Sequence, residues 1–299
     1  MNLRFTQIDV FTSVPLQGNP AAVVFGAGRA PTPVLQAIAR EMNLSETVFL
    51  SEPVHAEADY RARIFTPRNE LPFAGHPTIA AAYAVLDERG GGSTAPLVLH
   101  QECGVGVIPI HVEPTEVGPF FRVTQAPPEW FEARITREQC ASMLGCRYGD
   151  LPDLPLQVIS TGVRWLIVPL ASVDVVAALR PDFIAIQEGC RSIGAVGVTA
   201  FCLRGATYRE GVRLRSFAPG EGVLEDPVCG SGNGSVAAYV ARFLSRGART
   251  LEYTAEQGAE AGRPGRVSVR ALRGTDDAWS IQVGGHAVRV MEGTILLPD

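Results

Sequence analysis

The sequence predicts an α+β fold of two pseudo-symmetric domains, each a curved, mostly antiparallel, barrel-like sheet around a central helix. Three observations predict it. Residues 61–67 (RARIFTP) recur as residues 213–219 (RLRSFAP), so that Arg61, Arg63, Phe65 and Pro67 match Arg213, Arg215, Phe217 and Pro219 at a constant offset. The surroundings recur as well: a short apolar strand precedes each copy, and a Gly-opened, Ala-rich segment follows it. Those two segments carry few charges, which marks helices buried on most sides. A curved antiparallel sheet is the economical wrapping for such a helix.

In chain order, Gly18-Asn19-Pro20 reads as a turn. TVFL at 47–50 reads as a strand, and Arg61 and Arg63 set against Ile64 and Phe65 form the next. Ala74-Gly75-His76-Pro77 then opens the first helix, TIAAAYAVL, and Gly90-Gly91-Gly92-Ser93 is a loop. Pro114, Gly118, Pro119, Pro127 and Pro128 place the seam near 114–129, dividing the chain into domains 1–126 and 127–299. In the second unit VTAFCL at 198–203 and VRLRSF at 212–217 are strands, with a loop over 218–222. Cys229-Gly230-Ser231-Gly232 opens the second helix, GSVAAYVARFL. The tail reads as strands VSVRAL, WSIQVGG, HAVRVMEG and TILLPD, with the terminal strand free to return to the first domain.

Composition narrows the function. At 299 residues the chain can bury about three quarters of its unfolded surface without disulfide or metal staples. Net charge is −5, and Arg is scattered rather than clustered, which argues against a nucleic-acid partner. The six Cys form no C-x-x-C pair and no zinc spacing, so no metal is expected and the thiols are read as unpaired. The N-terminal segment has no apolar leader, and no apolar run approaches a membrane span. The expectation is a cytoplasmic protein with no membrane partner.

Chemistry gathers at the two helix starts. Gly75 permits close backbone approach and Pro77 suits a first helical turn. First-turn N–H groups carry the positive end of the helix dipole, and Gly230, Ser231, Gly232 and Asn233 repeat the arrangement. Two such starts facing one cleft would hold a small carboxylic acid. Taken singly, the same glycines could equally serve tight turns. Glu46 lies between Leu44 and Val48-Phe49, and apolar surroundings raise a carboxyl pKa toward the range useful for proton transfer. The same residue could instead be a solvated Glu or a capping partner after Ser45. His76 is a donor, a relay or a structural ring. Asp226, before Pro227, caps the helix, orients a partner or meets a substrate amine. Cys229 at a helix start is expected to have a lowered pKa and could act as a second acid/base; the alternative is a small packed residue. Asn19 is a turn residue or reaches the site. Arg63 and Arg215 line a solvated strand face or pair with Glu.

DVFTSVPLQGNPAAVV at 9–24, NLSETVFL at 43–50, FTPRNELPFAGHPTIAAAY at 65–83, EDPVCGSGNGSVAAY at 225–239 and VGGHAVRVMEG at 283–293 resemble the PhzF family, phenazine-biosynthesis-like isomerases of the diaminopimelate epimerase-like fold. The resemblance runs nearly end to end. It implies an interdomain site, no metal or organic cofactor, and a homodimer. It further implies Glu46 as proton shuttle, with His76, Asp226 and Ser231 in the family's site motifs. Cys229 stands where the family usually has Thr. Racemases of this fold use two Cys, and here Ala74 occupies the first such position, so a two-thiol racemase is not expected. The function implied is a cofactor-independent isomerase that shifts a proton on a small carboxylic acid. The alternatives are a lyase or dehydratase, a one-thiol epimerase of a small hydroxy or amino acid, and, in another class, a non-catalytic small-acid binder.

Overall fold

The computed structural model describes residues 2–91, 95–245 and 247–297. Gly92 and Ser93 of the expected glycine loop, and Pro298 and Asp299 of the expected last strand, lie outside the described residues. The chain forms two compact units, one of Met1–Thr124 with Gly284–Asp299, the other of Gln125–Val283.

The first unit contains β1 (Asn2–Val10), β2 (Asn19–Val24), α1 (Thr32–Met42), β3 (Glu46–Ser51), β4 (Tyr60–Phe65), β5 (Glu70–Leu71), α2 (Gly75–Glu88), β6 (Leu97–Cys103), β7 (Gly106–Thr115) and β8 (Gly118–Thr124). Antiparallel pairs β1–β2, β3–β4, β6–β7 and β7–β8 alternate with parallel pairs β2–β3 and β4–β6. The parallel pairs arise where a helix carries the chain over between strands, as a parallel connection requires. Helix α2 runs through the sheet with Gly75 to Ala82 all buried. Its Ala-rich sequence lets strands approach from every side. Helix α1 is amphipathic instead, and Leu35, Ile38 and Ala39 seat it on the outer face against Val24, Phe49 and Phe65.

The second unit repeats this plan. It contains β9 (Glu129–Phe131), α3 (Arg137–Leu144), β10 (Gln157–Ser160), β11 (Arg164–Pro169), α4 (Val173–Ala178), α5 (Phe183–Ser192), β12 (Gly197–Leu203), β13 (Val212–Ala218), β14 (Val223–Asp226), α6 (Gly230–Tyr239), β15 (Thr250–Gln257) and β16 (Gly265–Arg273). Here β11–β12 and β13–β15 are the parallel pairs. Helix α6 is buried within the sheet, and a π-helical segment, Val240–Leu244, extends it. Helices α3, α4 and α5 cover the outer face through Leu144, Val176, Ile186 and Cys190.

Three details differ from the sequence reading. Asn19 and Pro20 are the first residues of β2, and only Gly18, at φ 64°, turns; Pro is tolerated where a strand begins. Pro114, Gly118 and Pro119 belong to the β7–β8 hairpin. The last three expected strands are one strand, β17 (Trp279–Leu296), which crosses from the second unit into the first and pairs with β1. Gly284 does not break it: a Cβ there would stand 2.5 Å from the Phe121 carbonyl oxygen, so the glycine admits close strand approach.

Candidate active site

In the first unit, three predicted residues come together from three elements. Glu46 opens β3, His76 is the second residue of α2, and Asn19 opens β2. His76 Nε2 lies 3.2 Å from Glu46 Oε2, and His76 Nδ1 lies 3.4 Å from Asn19 Nδ2. The imidazole is buried and Glu46 is 16% exposed, with its Oε2, the oxygen that faces the ring, buried. Burial pushes the His76 pKa down to about 3, opposed only by the nearby Pro20 carbonyl. His76 is thus a neutral ring beside a carboxyl group. One ring nitrogen donates and the other accepts, so the ring can receive a proton-bearing carboxyl or donate to a carboxylate without acquiring a full charge. The Asn19 turn reading is replaced by a buried contact with this ring. Ala74, the residue before α2, has no side chain able to cap it.

In the second unit, Cys229 is the N-cap of α6. Its Sγ accepts from Gly232 N–H at 3.2 Å and lies 3.6 Å from Ser231 Oγ. The expected lowering of its pKa is reversed. Burial raises it well above the ordinary thiol value and Asp226 adds to the rise, while the contacts with Ser231 and Gly232 oppose them. The helix-start effect is present but desolvation outweighs it. Asp226 is not the helix cap: it ends β14, and its Oδ1 accepts from Val228 N–H at 3.1 Å. Ser231 Oγ accepts from Trp165 Nε1 at 3.0 Å.

Sequence reasoning missed two residues that hold this start in place. Gln257 Oε1 accepts from Cys229 N at 3.0 Å and from Asn233 Nδ2 at 3.3 Å, while its Nε2 donates to the Asp226 carbonyl at 2.8 Å. Trp165 is the other. Neither lies in the repeated motif, and only strand pairing brings them to α6.

The repeat also tells which residues correspond. Phe65 pairs with Thr47, and its counterpart Phe217 pairs with Val198. One residue earlier, Glu46 therefore corresponds to Gly197. The parallel neighbours agree, since Glu46 pairs with Ala21 and Gly197 with Trp165. The second unit carries no carboxyl at the Glu46 position, and His76 corresponds to Ser231. The matched arginines are ion-paired in both units: Arg63 with Glu70 at 2.6 Å and Arg215 with Glu225 at 2.8 Å.

Among the described residues no cluster of three or more His, Cys, Asp or Glu could hold a metal ion, and no helix is long and apolar enough to cross a membrane.

Residues 8–293 match the family model of phenazine biosynthesis-like proteins, PhzC-PhzF. The trans-2,3-dihydro-3-hydroxyanthranilate isomerase of Pseudomonas aeruginosa is 35% identical over 98% of this chain and 99% of its own. Antisense-enhancing sequence 1 of Schizosaccharomyces pombe is 34% identical over 97% of both chains. The crystal structure of a PhzF-family phenazine biosynthesis protein from Bacillus anthracis superposes with a TM-score of 0.89 at 30% identity, covering 99% of this chain and 100% of that one. A hydroxyproline epimerase from Agrobacterium vitis, at 13% identity and a TM-score of 0.67, shares the fold. By full-length sequence match and by fold, the chain belongs to the PhzC-PhzF family of phenazine biosynthesis-like proteins and is an isomerase-type enzyme.

Proposed function

We propose that the enzyme shifts a proton on a small carboxylic acid without a metal or organic cofactor, with Glu46 as the acid/base. The observation that carries this reading is the 3.2 Å contact between Glu46 and the buried His76. A carboxylate at the end of a strand takes a proton from a substrate carbon next to an activating group. The carboxyl then returns a proton to another carbon. His76, held neutral, adjoins the carboxyl in both states and fixes its direction, while Asn19 holds the ring. Holding the proton at this pair prevents protonation at random and places base and carbon within reach, which is where proton-transfer enzymes gain much of their acceleration. Backbone N–H groups at Gly75 and Gly230, together with Ser231, are assigned to the substrate's oxygen atoms. Asp226 is assigned to orientation at the α6 start. Cys229 is assigned the cap rather than a second acid/base, because its thiol stays protonated. A homodimer in the cytoplasm completes the reading.

The test uses trans-2,3-dihydro-3-hydroxyanthranilate, the compound named for the Pseudomonas relatives, together with other small unsaturated carboxylic acids, in deuterium oxide. An isomer is expected that differs in mass only by incorporated deuterium. Glu46→Gln is expected to lower turnover by about 10²–10⁴-fold. Wild-type exchange in Glu46→Gln would sink the assignment, and a product lighter by one water would identify a lyase instead.

A further inference from the structure

The first unit carries a cleft at the far end of α2 from His76. Its volume is about 610 Å³, within the range of small-molecule sites. Val85, Glu88 and Arg89, at the end of α2, line one side, and Phe25, Leu50 and Tyr60 line others. From His76 to Glu88 the helix rises about 18 Å, so the cleft is remote from the Glu46–His76 pair.

The second unit seals the corresponding place. Leu50 pairs with Ala62 and Phe201 with Leu214, which makes Phe201 the counterpart of Leu50 and Arg213 that of Arg61. Phe201 is buried against the Tyr239 ring at 5.3 Å, and Arg213 is held by both oxygens of Glu260 at 2.6 Å. In the first unit Leu is smaller than Phe, and Arg61 reaches only Glu102 Oε1, through Nε, at 3.4 Å. The Arg61 side chain is 43% exposed, and its terminal nitrogens make no hydrogen bond among the described residues.

The charges along the cleft are unequally engaged. Glu88 meets Arg4 through both oxygens, and Arg89 meets Asp59 at 3.0 Å. That leaves the guanidinium fork of Arg61 and the carboxylate of Glu52, an exposed lining residue with no partner among the described residues. Ser51 pairs with Arg61 and Glu52 comes next, so the two charges arise about one strand spacing, ~5 Å, apart along the backbone ladder. Tyr60 adds an unmet polar group. It is 4% exposed, and its buried hydroxyl has no hydrogen-bond partner among the described residues. That hydroxyl senses the charge of Arg89, which lines the same cleft, as well as those of Asp59 and Cys103. An unpaired buried hydroxyl is unfavourable, so a polar ligand atom beside it is stabilising.

We propose that this cleft is a second ligand site and that it takes an α-amino acid with an apolar side chain. The carboxylate lies on Arg61, the ammonium on Glu52, and the side chain against Phe25, Leu50 and Val85, with the Tyr60 hydroxyl meeting the polar end. One open cation and one open anion match a zwitterion, whereas a polyanion would meet Glu52 and Glu88. A guanidinium fork suits two-point contact with a carboxylate.

The full-length enzyme is titrated with L-phenylalanine, with 3-phenylpropionate, which lacks the amine, and with phenethylamine, which lacks the carboxylate. Calorimetry gives affinity, and backbone nitrogen-15 NMR gives location. L-phenylalanine is expected to bind about tenfold or more tighter than either analogue, the scale of a hydrogen bond to a charged group. It is expected to shift the amides of Gly26, Gly28 and Arg89 and to leave those of Gly75 and Gly230 in place. Arg61→Gln is expected to weaken L-phenylalanine about tenfold or more, Glu52→Gln about 3- to 10-fold and Tyr60→Phe about threefold. The proposal is overturned if L-phenylalanine does not bind at millimolar concentration, if either analogue binds as tightly, if the shifted amides are those of Gly75 and Gly230, or if Arg61→Gln binds as the wild type does. Should a variant fail to fold, the three wild-type titrations and their shifted amides decide alone. Glu46→Gln is expected to bind L-phenylalanine as the wild type does, so failure of the proton-transfer reading leaves these measurements intact.

Discussion

Replacing His76 by Asn tests the charge state at the centre of the site. Burial holds the folded-state pKa of His76 at about 3, against 6.5 for an unperturbed histidine. In the unfolded chain the ring binds a proton as pH falls through 6.5, while in the folded protein it does not until near 3. The unfolded state therefore binds more protons across that window, and stability rises with pH. The contribution of the neutral ring is fully present above 6.5 and is lost progressively as pH falls toward 3. Between about pH 7 and about pH 5.5 the loss amounts to about 1.3 kcal/mol from this one group. His76→Asn has no such group, so its stability should fall about 1.3 kcal/mol less than the wild type's over the same interval, whatever its absolute stability. Urea denaturation of both proteins at the two pH values gives the double difference, and the nitrogen-15 shift of the imidazole reports the ring directly. Equal losses would mean that His76 titrates in the fold as in the open chain. A wild type that gains on the variant as pH falls would mean a cationic ring paired with Glu46 across their 3.2 Å contact, and the neutral-pair reasoning would be refuted.

Further outcomes follow from the same structure. Cys229→Thr should keep turnover within about threefold, because a hydroxyl can cap α6 in place of the thiol. The native thiol should alkylate slowly at neutral pH, and a loss of about 10²-fold in turnover would restore Cys229 as an acid/base. Glu225→Ala should cost about 3–5 kcal/mol, because it strands a guanidinium that is 7% exposed and is left with the Val176 and Leu179 carbonyl oxygens and the face of the Phe217 ring, none of which carries a compensating charge. Glu70→Ala at the corresponding pair, where Arg63 and Glu70 are 27% and 39% exposed, should cost about 1 kcal/mol or less. Denaturation of the two variants side by side checks both, and equal losses would show that burial does not separate the pairs.

Much of the architecture was legible locally. The recurrence of R-x-R-x-F-x-P, the alternation of the strands and the Ala-rich helices after Gly75 and Gly230 are periodic signals, and each survives into the structure as β4, β13, α2 and α6. The outer helices and the crossovers they make were not read, because their apolar faces acquire meaning only against a particular sheet. The continuity of β17 was hidden by Gly284, which looks like a break in sequence and proves to be a place where β8 comes close.

By itself the sequence determined that the protein is a duplicated unit and that the two helix starts differ at Ala74 and Cys229, for which residue type and short spacing suffice; the resemblance to the family is what singled out Glu46, His76, Asp226 and Ser231. Tertiary structure alone decided what those residues are to one another. Strand register, set by pairings between segments far apart in the chain, makes Gly197 the counterpart of Glu46 and brings Trp165 to Ser231. Burial, which depends on every neighbour at once, leaves His76 neutral and turns the shift at Cys229 upward where a helix start alone would turn it downward.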